Sequence, residues 1–196
     1  MHKLVKRMRA LRWLSSPVLL GLDNVPKRGP VLYVGNHNMF GVIDATMLVV
    51  ELYERRGVSL RGLGDRVHFK LPVWRDLLRS YGVVEGTRDN CAELFEAGEH
   101  VLVFPGGARE VAKRKGEKYQ LMWKQRVGFA RMAIRHGVTI VPFSSIGVED
   151  AFDILLDAND IIKSPAGGIL ERLGVRGDLL MPLVRGLGPT PLPRPE

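Results

Sequence analysis

Three short apolar runs, Val31–Gly35, Val101–Phe104 and Val138–Phe143, set the limits on what this chain can fold into. Runs so short and so continuously apolar read as strands buried on both faces. Gly82–Glu85 reads as a further strand. Between the runs lie segments of helical spacing: Ile43–Arg55, Leu71–Ser80, Asp89–Glu96 closed by Gly98, and Gln120–His136 closed by Gly137. In that last helix Trp123, Val127, Ala130 and Ile134 form an apolar stripe expected to face the core, beside a face carrying Lys124, Arg131 and Arg135. Strands alternating with helices imply an α/β domain with a mainly parallel sheet flanked by helices. In such sheets the site forms from polar residues just past strand C-termini, where His37 and Arg109 lie.

The 196 residues, 45% of them hydrophobic, are enough to bury a core and read as one domain over 1–196. A single cysteine, Cys91, excludes an internal disulfide and favours a reducing compartment. The longest run without a charged residue, Gly29–Ile43, has 15 residues and contains Asn36, His37 and Asn38, so no membrane span is expected. Net charge is +8 and gathers in two places. Residues 1–28 hold seven Lys/Arg against one acid, and residues 109–135 hold nine against two. Anionic partners follow: nucleic acid, a membrane surface or phosphorylated small molecules. Residues 1–14 read as a basic amphipathic helix, either lying in a membrane interface or packed on the domain with a solvated basic face. Residues 186–196, rich in Pro and Gly, are expected to run extended over the surface.

Four short constellations carry chemistry. In Gly35-Asn36-His37-Asn38-Met39-Phe40-Gly41-Val42-Ile43-Asp44 a strand delivers a histidine to a turn, and a carboxylate follows on the next helix. Histidine serves as a general base near neutral pH, and a carboxylate fixes its tautomer. In Val103-Phe104-Pro105-Gly106-Gly107-Ala108-Arg109-Glu110 paired glycines let the backbone approach an anion, and Arg109 supplies a forked donor. Gly82-Val83-Val84-Glu85-Gly86-Thr87-Arg88 places a cation at a sheet edge, and Ile140-Val141-Pro142-Phe143 is a buried strand. Taken singly, each is as easily a helix cap, a tight turn or ordinary core.

Their order is more specific. NHNMFGVID, GVVEGTR, FPGGARE and IVPF resemble the four blocks of the glycerolipid acyltransferase superfamily: a His–Asp motif, a G-x-x-x-x-x-R motif, F-P-E-G-T-R and a V-P motif. FPGGARE is similar to the branch of diacylglycerol acyltransferases and phytyl ester synthases. The family's Glu is replaced by Gly106, and Glu110 follows the Arg. The family pattern places four residues between His and Asp, whereas here there are six. Two helical turns would hold His37 and Asp44 about 10 Å apart. Direct contact therefore requires His37–Gly41 to be a loop. Related chains continue past a segment like PLPRPE, so a shortened or atypical C-terminus is expected at Glu196.

The resemblance implies transfer of a fatty acyl group from acyl-CoA or acyl-carrier protein to a lipid hydroxyl, without a covalent acyl-enzyme. His37 would be the base and Asp44 its orienting partner. Asn36, Arg88, Gly106, Gly107, Arg109 and Glu110 would bind substrate, and the Lys113–Lys118 cluster would meet coenzyme phosphates or the membrane. Met39, Phe40, Met47, Leu71 and Trp74 are candidates for an acyl groove, with core packing the plainer reading of each. The implied acceptor is diacylglycerol or another neutral lipid alcohol; the alternatives are a lysophosphatidic acid or other lysophospholipid acceptor, or a catalytically weak lipid-binding member of the same fold. The implied location is peripheral, on the cytoplasmic face of a membrane. No resident cofactor is expected, and no metal, since His2, His37, His68, His100 and His136 are scattered. Aromatics at 7% are not interleaved with the basic runs, which argues against nucleic acid. G-x-S-x-G and G-x-x-x-x-G-K-[ST] are absent, which argues against a serine hydrolase and a P-loop protein.

Overall fold

The computed structural model describes residues 5, 8, 12, 13, 16–26, 28–172, 174, 175, 177, 180–187 and 190–194. Contacts divide the chain into two compact units. One comprises Met1–Asn36, Ala45–Pro105 and Gln125–Ser144; the other His37–Asp44, Gly106–Lys124 and Ser145–Glu196.

The first unit is built on a five-stranded sheet of β1 (Val31–Gly35), β2 (Leu60–Gly64), β3 (Val84–Glu85), β4 (His100–Val103) and β5 (Thr139–Phe143). The order is β3-β2-β4-β1-β5 and every pairing is parallel. β1 lies between β4 and β5, pairing Leu32 with Val101 and Ile140, and all five of its residues are buried. A parallel strand covered on both faces must be apolar throughout, which is how this segment reads. Gly35 has a packing reason: a Cβ there would lie 2.3 Å from the Phe143 ring. Pro142 is tolerated because β5 is an edge strand. Val25, Tyr33, Leu52, Val58, Leu60 and Leu102 close the core.

The helices here are α1 (Ile43–Arg56), which starts at the unit boundary, α2 (Pro72–Ser80) and α3 (Arg88–Glu96). Thr87 caps α3 by accepting the Asn90 N–H at 3.1 Å. The expected helix Gln120–His136 begins only at Gly128 (Gly128–His136; α5 below) and ends at Gly137 in left-handed conformation, φ 63°. Residues 120–127 are diverted to other uses. Lys124 has φ 53°, the Met122 N–H goes to Glu110, and the Arg126 guanidinium donates to the Pro105 carbonyl at 2.9 Å. The apolar stripe is corrected too: Val127 and Ile134 are exposed, and Met132 and Ala133 form the buried face.

Much of the 1–14 expectation lies outside the described residues. Of its described members, Val5, Met8, Arg12 and Trp13 are helical. Arg12 forms an ion pair with buried Glu51 at 2.6 Å and another with Glu54, so this cation serves an anchor to α1. Among the described residues no helix is long and apolar enough to cross a membrane.

The second unit holds α4 (Gly107–Val111), residues 120–124 of the diverted segment, an antiparallel pair β6 (Asp153–Leu156) and β7 (Leu183–Arg185), α6 (Ala158–Lys163) and α7 (Pro165–Arg172). Met39, Ala151, Phe152 and Val184 form its core, with Phe40 edge-on to Phe152 at 5.4 Å. Asp157 starts α6 with a capping box completed by Asp160. The described tail residues form neither helix nor strand; the Arg194 N–H donates to the Ala151 carbonyl at 3.2 Å, and Arg194 pairs with Asp153 at 2.9 Å.

Candidate active site

His37 to Val42 is a loop, with helix α1 starting at Ile43. Two consecutive left-handed residues, Phe40 (φ 64°) and Gly41 (φ 63°), turn the backbone back on itself. The Gly41 N–H donates to the Asn38 carbonyl at 2.9 Å, and the Phe40 N–H to the Val111 carbonyl at 3.2 Å. This shortcut absorbs the two extra residues between His37 and Asp44. His37 Nδ1 lies 3.0 Å from Asp44 Oδ2, so the loop alternative is the one adopted. The Asp44 carboxylate has no exposed side-chain surface, and the same oxygen accepts the Asn38 N–H at 2.8 Å. Standing in the first turn of α1, it is also favoured by the helix N-terminus.

A proton on Nδ1 directed at Asp44 makes Nε2 the basic nitrogen of the ring. Gly41 holds that edge in place by being glycine. A Cβ at position 41 would come within 2.5 Å of both Nε2 and Cε1 of His37.

The loop has a second anchor. Glu110, with no exposed surface, accepts the His37 N–H on Oε2 at 2.9 Å and the Met122 N–H on Oε1 at 3.3 Å. Expected to touch substrate, Glu110 is instead committed to the protein's own backbone. Its carboxyl fills the space beside Gly106, where a Cβ would meet Oε2 at 2.3 Å. The glycine at the third motif position and the glutamate four residues later are thus one arrangement. Asn38, also fully buried, donates to Ser145 Oγ at 2.8 Å.

The other candidates divide. Arg109 is mostly buried, ion-paired with Glu117, and donates to the Ala112 carbonyl at 3.3 Å. Burial pushes the Glu117 carboxyl up, but hydrogen bonds from Arg109 and the Arg114 N–H outweigh it and hold the group below its ordinary value. Gly107, φ 54°, opens α4. Asn36 and Arg88 belong to the sheet-bearing unit, with Arg88 exposed as the first residue of α3.

The lysines of the Lys113–Lys118 cluster are each ion-paired: Lys113 is buried against Glu149 at 2.5 Å, Lys115 reaches Asp160 at 2.8 Å, and Lys118 pairs with Asp150. These residues rim a cavity of about 290 Å³ whose apolar wall is Met39, Phe152 and Ile154. Of the groove candidates, Met39 is core with half-buried Phe40 packed against that core, Met47 is buried, and Leu71 and Trp74 are exposed. Asn38, Gly41 and Ser145 were missed as site residues. Gly41 alone left a signal, a glycine inside the His–Asp block. Among the described residues no three His, Cys, Asp or Glu side chains converge as metal ligands would.

A family profile described as Acyltransferase matches residues 18–146. The chain is 37% identical over 154 residues to phytyl ester synthase 1, chloroplastic, of Arabidopsis thaliana, covering 76% of this chain and 22% of that protein. It is 30% identical over 132 residues to the human DGAT1/2-independent enzyme synthesizing storage lipids, covering 67% of this chain and 40% of that one. An uncharacterized protein of Mycobacterium tuberculosis is 33% identical over 139 residues, 70% of this chain and 39% of its own length. The chain thus spans between about a fifth and two fifths of the length of these curated relatives. No solved structure matches it.

Proposed function

This chain belongs to the acyltransferase family, and on that footing we propose that it is a lipid O-acyltransferase with His37 as general base. The observation that carries the proposal is the 3.0 Å contact between His37 Nδ1 and the buried Asp44 carboxylate, on a loop held by Glu110. The acceptor hydroxyl oxygen attacks the thioester carbon of acyl-CoA or acyl-carrier protein while its proton passes to His37 Nε2. The tetrahedral species collapses with cleavage of the C–S bond, and the imidazolium returns the proton to the departing thiolate. An ester and a free thiol result. General-base catalysis of this kind contributes roughly 10²–10⁴-fold. Asp44 stabilises the imidazolium and keeps Nδ1 protonated. Backbone N–H groups around Gly106–Gly107 are the candidate donors to the developing oxyanion.

A covalent acyl-enzyme through the one cysteine is unattractive: Cys91 is buried in α3 and its thiol is pushed up to about 11 by that burial. For the acceptor we favour a neutral lipid alcohol such as diacylglycerol. The commitment of Arg109 to Glu117 leaves that guanidinium poorly placed to clamp a phosphate, and the relatives named for phytyl ester and storage-lipid synthesis support the same choice. Exposed Arg88 remains a cation for an anionic part of the donor. Such substrates place the protein peripherally at a membrane surface.

The test is free-thiol release from long-chain acyl-CoA in mixed micelles containing diacylglycerol, a long-chain alcohol or lysophosphatidic acid. Release that depends on a neutral acceptor supports the reading. Release only with lysophosphatidic acid reverses the acceptor choice, and release with none of the three, when long-chain acyl-carrier protein is also tried as donor, leaves a lipid-binding protein without this chemistry.

A further inference from the structure

Helix α2 is built like a core helix and packed like a loop. At about 100° per residue, Val73, Trp74, Leu77 and Leu78 fall on one arc, and Arg75, Asp76, Arg79 and Ser80 on the other. A helix with that pattern ordinarily turns its apolar arc into the protein. Here none of its residues is buried: Val73 is 86% exposed, Trp74 40% and Leu77 36%, and Leu71 just ahead of the helix is 62% exposed. The Trp74 indole N–H donates to His68 Nδ1 at 3.1 Å, so the ring's polar edge is satisfied while the side chain stays partly exposed.

The flanks are basic. Residues 66–80 carry Arg66, Lys70, Arg75 and Arg79 against the single acid Asp76. Arg66 pairs with Glu85 and Arg75 with Asp76, while Lys70, just ahead of the helix, and Arg79, on the polar arc of its last turn, lie exposed and form no ion pair among the described residues.

We propose that residues 66–80 dock on an anionic lipid bilayer. α2 lies in the membrane plane with Leu71, Val73, Trp74 and Leu77 among the acyl chains, and Lys70 and Arg79 at the headgroups. A second copy of the chain fits this face poorly, because a two-fold contact would bring the same net-positive segment, residues 66–80, against itself. An anionic interface meets both the apolar arc and its charge. The inference rests on the lipid-acyltransferase reading for its purpose, but its test reads binding without turnover.

The full chain is sedimented with phosphatidylcholine vesicles, with and without phosphatidylglycerol. Wild-type protein binds the anionic vesicles. The double substitution Val73→Asp/Leu77→Asp lowers the bound fraction roughly tenfold or more. Lys70→Glu/Arg79→Glu removes the dependence on phosphatidylglycerol. Since Val73 is almost wholly exposed, folding should survive, which circular dichroism checks. A Trp13→Phe/Trp123→Phe protein keeps Trp74 as its only tryptophan, and brominated phosphatidylcholine should quench it. An unchanged bound fraction in the aspartate variant, or an unquenched Trp74 on vesicle-bound protein, overturns the proposal. So does a wild-type dimer that the aspartate variant converts to monomer. Vesicle binding through α2 by a protein that releases no thiol would leave the docking intact and sink the acyl-transfer reading instead.

Discussion

Glu110 is a carboxylate without exposed surface, and it is stable there because its oxygens accept backbone N–H groups from two separate loops. Removing it strands the His37 N–H and empties the space beside Gly106. Glu110→Ala should therefore cost about 2–4 kcal/mol in denaturant unfolding. Glu110→Gln keeps one acceptor for His37 and should lose less stability, lowering kcat more than it raises KM. Equal effects on kcat and stability from the two substitutions would contradict a positioning role. Gly41 is the other exacting position. An alanine there must adopt φ 63° and clear the His37 ring at 2.5 Å, so Gly41→Ala should abolish thiol release even where the protein still folds. Retained activity would show that the loop is more pliable than its hydrogen bonds imply. The sequence named His37, Asp44 and Glu110, yet the part played by Glu110 was unreadable, since four residues of spacing from Gly106 do not reveal which backbone group a carboxylate will meet.

At the scale of elements, the central strands were readable because β1 is a buried apolar run and β4 has Val101 and Leu102 buried at its centre. β2 was not: Leu60–Gly64 contains one arginine and two glycines, and it forms through pairing with β4 and β3 and through room made for Val83 and Phe69 beside Gly64. The late start of α5 has a similar cause, since helical periodicity in residues 120–127 competes with hydrogen bonds that serve Glu110 and Pro105. Local capping is decisive at α6. Asp157 accepts the N–H groups of Asn159, Asp160 and Lys115, tying the basic loop to the helix. Asp157→Ala should cost about 1–2 kcal/mol or somewhat more, measured by urea unfolding, because one cap here satisfies three donors. A loss within a few tenths would mean that water replaces the cap.

Across the whole molecule, net charge misled where it was most concentrated. The basic stretch at 113–118 resembles a phosphate site in the sequence, but its lysines meet acids that follow some thirty to forty-five residues later, a pairing no local pattern announces. That charge network gives the second unit an acid limit. For Glu117 and Asp157 burial raises the carboxyls, but hydrogen bonds more than offset it, leaving both below their ordinary values of 4.5 and 3.8. A depressed folded value means that the unfolded chain binds the proton more readily, so the stability is present above the ordinary value and lost as pH falls through the folded one. Acid titration below about pH 4.5 should loosen the unit holding Trp123, followed by fluorescence of a protein retaining that tryptophan alone. Glu117→Gln should flatten this acid limb; an unchanged midpoint and slope would remove Glu117 from the account.

The proposed mechanism has His37, held by Asp44 and Glu110, take the proton of a lipid hydroxyl. Its most direct test is acceptor-dependent thiol release from long-chain acyl-CoA by wild-type protein and by His37→Ala, with folding verified by circular dichroism. A loss of roughly 10²–10⁴-fold or more in kcat with a retained fold is the predicted result. Acceptor-dependent release by His37→Ala at the wild-type rate would contradict it.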